Sequence, residues 1–157
     1  LLAAAFAGIG FGNAGVHLPH GMSYPVAGMV RSYMPPGYGA DHPMVPHGNA
    51  VIVNAPAVFR FTGCANPQRH LRAAAVLGAD VSAAKEADAG RILADVIIDF
   101  MRRLNAPNGL HALGYTSADI PALVQGTLPQ HRVTKLSPRP ATAEDLTALF
   151  ADAMCYW

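Results

Sequence analysis

Apolar residues recur at helical spacing along most of this chain. Over 86–104, Ala89, Leu93, Val96, Ile97, Phe100 and Leu104 share one face of a 3.6-residue repeat. Glu86 and Asp88 lie at the positive end of that helix, and Arg102 and Arg103 at its negative end. Asn66-Pro67, followed by 68–77 and then Gly78, carries a cap, a first-turn proline and a terminal glycine, and predicts a second helix. Thr142 caps a last helix whose stripe is Leu146, Leu149, Phe150, Ala153 and Met154. A shorter helix is predicted over 117–128.

The first third of the chain is less periodic and more apolar. Residues 1–15, rich in Ala and Leu, predict a buried helix whose beginning lies upstream. Residues 17–29 predict a short helix that Pro19 and Pro25 bend or end. Residues 31–46 hold Pro35, Pro36, Gly37, Gly39 and Pro43 and predict a loop. It is long for a structureless connection, and ordered loops of that length are often functional. Residues 48–62 predict a buried helix kinked at Pro56. No stretch alternates as a strand would, and no repeat is present. The predicted fold class is all-α, with 1–157 as a single helical domain.

Composition adds one constraint. Of the 157 residues, 52% are apolar and only 13% charged. A small independent domain usually carries more surface charge. Part of this surface is therefore expected to lie against a partner subunit or a further domain. The net charge of +1 predicts no electrostatic attraction to nucleic acid or to an anionic membrane. Residues 1–9 lack a basic flank and are too short to cross a bilayer. Cys64 and Cys155 match no metal or redox spacing and read as buried or incidental thiols of a reducing compartment.

Gly10-Phe11-Gly12-Asn13-Ala14-Gly15 fits the G-x-G-x-x-G pattern of dinucleotide-binding loops. That loop needs a strand before it, a helix after it and an acidic residue about twenty positions on. Here a helix precedes it and a proline-bearing segment follows, so no cofactor-binding residue is assigned. Its glycines are expected to permit close packing against a neighbour or a ligand. Among seven histidines, His20 and His47 stand out. They lie 27 residues apart, each beside a proline and followed by glycine, in nearly charge-free surroundings. Imidazole is a good ligand for divalent iron or zinc, but two ligands do not complete a site. His17, three residues before His20, would share its helical face, and His42 lies in the loop. His70, His111 and His131 have polar neighbours and are expected to be exposed. On residue chemistry alone, an ordinary hydrogen-bonded histidine is the default reading for all seven. Arg132, Lys135 and Arg139 concentrate positive charge in 132–140. They read either as a solvated turn or as a carboxylate-recognition loop.

Together these stretches resemble the C-terminal helical domain of the iron-containing (group III) alcohol dehydrogenases, a dehydroquinate synthase-like fold. That family carries Asn-Ala, a ligand histidine seven residues after the Asn, and a later Pro-His-Gly with the last ligand. Here Asn13 leads to His20, and Pro46-His47-Gly48 supplies the second. Residues 12–18, 20–25, 41–48, 118–124, 126–130 and 132–136 also match. The strongest likeness within the family is to the transhydrogenases that act on hydroxyacids and oxoacids.

The resemblance implies that His20 and His47 are ligands of Fe²⁺ or Zn²⁺. It implies that NAD is bound mainly by an N-terminal domain with a Gly-Gly-Gly-Ser-type loop. An Asp and a His four residues apart in that domain would complete the metal site. Neither feature occurs in this chain, which is expected to be the C-terminal part of such an enzyme and inactive alone. Tyr24 stands where many members have a second histidine. Implied partners are the N-terminal domain, further copies of the chain, and small substrates such as 4-hydroxybutyrate and 2-oxoglutarate. The implied setting is the cytoplasm, or the mitochondrion for an animal source. Lys135 or Arg139 is expected to pair with the substrate carboxylate. Two alternatives remain: a non-catalytic helical domain used for assembly or stability, and an ordinary family dehydrogenase with freely exchanging NAD.

Overall fold

The computed structural model describes residues 1–157, and every regular element in it is helical. The α-helices are α1 (Leu2–Ala14), α2 (Leu18–Gly28), α3 (His47–Ile52), α4 (Ala55–Thr62), α5 (Pro67–Val76), α6 (Ala89–Arg103), α7 (Ile120–Thr127), α8 (His131–Thr134) and α9 (Ala143–Asp152). Short 3-10 turns precede α6 and α7.

The core forms around α2. Leu18, Met22 and Val26 recur every four residues and are all fully buried. Val53, Val58, Leu123, Leu149 and Phe150 close over them from α4, α7, α9 and the turn after α3. Each such side chain contributes about 1.5–3 kcal/mol by leaving water. A smaller cluster, Ala74, Leu93, Ile97 and Met101, joins α5 to α6. Helices α4 and α6 cross almost backbone to backbone. A Cβ at Gly63 would lie 2.5 Å from the Gly90 Cα, and one at Gly90 would lie 2.6 Å from the Phe59 carbonyl oxygen. At the far end of α2, Arg31 holds both carboxylate oxygens of Asp119 at 2.7 and 3.0 Å. This clamp ties the exit of α2 to the start of α7.

Helix caps form where the sequence places them. The Asn66 side chain accepts from the Arg69 N–H at 3.2 Å. Thr142 and Asp145 make a reciprocal capping box at the start of α9. The stripe of α6 shifts slightly from its expected composition. Gly90, Ala94, Ile98 and Met101 are buried, while Leu104 is exposed beyond the helix end.

Several expectations are corrected. Helix α1 buries no residue, and Leu2, Phe6, Ile9 and Phe11 are 57–70% exposed. A helix that is apolar all round needs cover on every side, and nothing in this chain covers α1. Residues 48–62 form two helices, α3 and α4, separated by a turn at Val53-Asn54. Pro56 lies in the first turn of α4, where it needs no intrahelical donor, so it makes no kink. Pro19 likewise helps to start α2, and Pro25 is accommodated within it. Pro25 packs so closely on α7 that a Cβ at Gly126 would sit 2.6 Å from its own Cβ. Both cysteines are exposed and free. His70 is buried, because the face of α5 that carries it turns inward while Arg69 and Arg72 do not.

Candidate metal centre

His17 occupies the N-cap position of α2, and Leu18 and Pro19 anchor its first turn in the core. His20 follows, half-buried at the start of the helix. The segment 30–46 is irregular but held. The Met44 N–H donates to the Tyr33 carbonyl at 3.0 Å, and Val45 and Pro46 are buried. It delivers His47 as the first residue of α3. The two imidazole rings meet with centroids 5.3 Å apart and planes tilted by 58°. Neither ring makes a hydrogen bond to the protein; His20 is held through its backbone, its N–H donating to the His17 carbonyl at 3.0 Å and its carbonyl accepting from Ser23 Oγ at 2.7 Å.

Burial, and then the neighbouring His47, hold the His20 imidazole below its ordinary pKa. A neutral ring keeps a lone pair available to a cation. His17 is lowered chiefly by burial, with His20 and His70 adding to the effect. Its Nδ1 is buried without a hydrogen-bond partner, and its ring faces an apolar hollow of about 300 Å³ behind His20.

The two rings open onto a cleft of about 580 Å³. Helix α8 forms one wall because α2 has no side chain at Gly21. A Cβ there would lie 2.6 Å from Thr134 Cγ2 and push α8 away. Val133 is buried, which turns its neighbour Arg132 out to the cleft. The Arg132 guanidinium donates to the Tyr24 hydroxyl at 3.4 Å, and Tyr24 lies one turn after His20 on α2. Phe11, Val16 and Leu136 supply apolar wall, and no carboxylate lines the space.

The structure therefore brings His20 and His47 together. Lys135 and Arg139 are placed elsewhere. The Arg139 guanidinium lies 3.8 Å from the centre of the Phe61 ring and donates to the Phe61 carbonyl at 3.1 Å. Lys135 lines a separate recess with His131 and Ser137. Sequence reasoning grouped the three cations and missed that Arg132 alone reaches the cleft. The one available signal was Val133, an apolar residue that had to point inward. Gly10 and Gly12 lie within α1, and a Cβ at either meets nothing within 4 Å, so neither supports close packing inside this chain. Gly15 does: its φ is +73°, and a Cβ there would lie 2.6 Å from Leu136 Cδ1.

This helical architecture, with paired histidines at the mouth of a cleft, belongs to a known class. The family described as Fe-containing alcohol dehydrogenase, C-terminal, matches residues 1–154, and the chain belongs to that family. Among similar curated proteins, the "Hydroxyacid-oxoacid transhydrogenase, mitochondrial" of Xenopus laevis is 61% identical over 98% of this chain. The human protein of the same name is 58% identical over the same share. A "Probable hydroxyacid-oxoacid transhydrogenase, mitochondrial" of Dictyostelium discoideum is 57% identical. The chain spans about a third of the length of these relatives, 33% for the first two and 28% for the third.

Two solved structures share the fold, each with a TM-score of 0.79 over 94% of this chain and 35% of their own. They are a 1,3-propanediol oxidoreductase at 24% identity and an alcohol dehydrogenase from Oenococcus oeni at 20%. No helix is long and apolar enough to cross a membrane.

The family name implies iron, and the donor set fits part of that role. His20 and His47 offer two facing imidazoles. No group of three or more His, Cys, Asp or Glu side chains in the chain could enclose an ion. The residues present fit half of a ligand shell.

Proposed function

We propose that residues 1–157 form the helical, metal-binding domain of an NAD-linked, iron-dependent oxidoreductase. It moves hydride between a hydroxyacid and an oxoacid, with 4-hydroxybutyrate and 2-oxoglutarate as the pair. The observation that carries this reading is the His20–His47 pair, set 5.3 Å apart at a cleft without carboxylates. The names of the similar proteins support the hydroxyacid–oxoacid class, within which we propose this particular pair. They also support a mitochondrial setting over the cytoplasm. An N-terminal domain of the same enzyme is the natural partner: it would bring NAD and the remaining ligands and cover α1. Further copies of the chain would complete a homo-oligomer.

His20 and His47 would hold the ion through their ring nitrogens. A bound Fe²⁺, or Zn²⁺ in its place, supplies Lewis-acid polarisation of the substrate oxygen. The chain's own residues shape the rest. Burial of Leu18 and Pro19 fixes the helix that carries His20, and Val45 and Pro46 fix the approach of His47. Phe11, Val16 and Leu136 give the cleft an apolar wall on one side of the histidines. With two imidazoles alone, this chain binds metal weakly and catalyses nothing by itself.

The test uses the complete polypeptide that carries this domain, loaded with iron. It is given 4-hydroxybutyrate and 2-oxoglutarate without added NAD. The expected result is equal formation of the aldehyde acid from the first and the 2-hydroxyacid from the second. Oxidation that needs stoichiometric added NAD would replace this reading with an ordinary dehydrogenase. No reaction with either acid would reject it.

A further inference from the structure

We propose that Arg132 is the residue that binds the substrate carboxylate, and that Tyr24 positions it. The proposal rests on the hydroxyacid reading above and names the residue that makes the cleft selective for acids. Arg132 is the one cation in the lining shared with His20 and His47. It makes no ion pair with a carboxylate of the chain, and its side-chain hydrogen bond is to the Tyr24 hydroxyl, at 3.4 Å. The arginine–carboxylate pairs of the chain engage Arg31, Arg60, Arg91 and Arg103 instead. Arg139 is occupied at Phe61, and Lys135 faces a different recess.

A guanidinium presents paired N–H donors that match both oxygens of a carboxylate, which an ammonium cannot do. A neutral phenol that accepts one of its N–H groups leaves the charge intact and fixes its direction. Arg132 comes from α8, and the imidazoles come from α2 and α3. A short-chain hydroxyacid can therefore place its carboxylate on α8 while its hydroxyl faces the histidines. The cleft of about 580 Å³ holds a molecule of that size. A neutral alcohol would fill the same space but leave the guanidinium unused.

The experiment pairs turnover with direct binding, using the complete iron-loaded polypeptide. Turnover is measured with 4-hydroxybutyrate and with 1-butanol, and binding of 4-hydroxybutyrate by calorimetry. Arg132→Met is expected to raise the KM for the acid and weaken its binding by about ten- to a hundredfold. The kinetics with 1-butanol should change far less than those with the acid. Arg132→Lys should recover part of the loss. Tyr24→Phe should raise the KM for the acid severalfold with kcat unchanged, as expected for a positioning residue.

Equal losses with both substrates, or no loss with the acid, would overturn the role of Arg132. Acid binding by the wild type that depends on Arg132 but leads to no turnover would leave that role standing and reject the proposed function. Absence of acid binding in the wild type would overturn the role itself.

Discussion

His70 and His20 lie on neighbouring parts of one small core, yet their imidazoles are used in opposite ways. Both nitrogens of His70 are committed: Nε2 meets Thr62 Oγ1 at 2.9 Å and Nδ1 meets the Asn66 carbonyl at 2.8 Å. Its ring also packs edge-on against Phe59 at 5.8 Å. That histidine joins α4 to α5 and has no capacity left for a ligand. His20 and His47 face each other with no protein partner for either ring. Full satisfaction marks a histidine as structural, and convergence without satisfaction marks one as available. Sequence context points the wrong way here, since His70 has the more polar neighbours.

The sharpest break of this contrast is to delete each kind of histidine in the complete enzyme. His20→Ala or His47→Ala is expected to lower iron occupancy and turnover by more than about a hundredfold, beyond the range seen for residues that only support a ligand. His70→Ala should keep its iron, as measured by metal analysis of the purified protein. Iron retained in His20→Ala would remove the basis for assigning the pair to a metal.

Stability should show the reverse order. Gly90→Ala drives a methyl into the Phe59 carbonyl and is expected to cost about 1–3 kcal/mol or more in denaturant unfolding. His70→Ala strips a buried hydroxyl of one partner and should cost about 1–3 kcal/mol. Gly10→Ala, in open space on α1, should gain about 0.5–1 kcal/mol from helix propensity. A loss there in the complete enzyme would mean that α1 packs tightly against another domain.

The smallest effect concerns the clamp at the other end of α2. Hydrogen bonds from Arg31, then from the Thr116 N–H, hold the Asp119 carboxyl well below the usual carboxylate range. Its folded pKa is therefore below its unfolded value of about 4. The stabilisation it gives is present above that pH and declines as the pH falls below it toward the folded value. Asp119→Asn should lower the melting temperature slightly at pH 7 and flatten the further fall between pH 4 and 2. Iron content at pH 7 should not change, because the clamp lies away from the histidines.

Local chemistry made much of this fold legible. Asn66 and Thr142 announce their helices because a cap depends only on residues within one turn. The stripe of α6 is readable because the core lies on one side of it. Burial of α1 was not readable, since apolar content reports a need for cover and says nothing of what supplies it. The break between α3 and α4 was hidden because both halves are apolar and Pro56 suits a kink and a helix start equally. The Pro-His-Gly and Asn-Ala stretches pointed to His20 and His47, and the structure sets their rings side by side. Arg132 was obscured by Lys135 and Arg139, because a four-residue helix sends neighbouring side chains to different surfaces.

Gly21 gives the cleft a mechanical property. With only a hydrogen there, α8 lies directly on α2, so the segments that carry Arg132 and His20 are in direct contact. A tilt of α2 is therefore expected to carry α8 with it. The gap between the anion anchor and the ligand should fluctuate less than either does relative to the rest of the molecule. A substrate held at both ends would then be gauged for length against a spacing set by one helix contact.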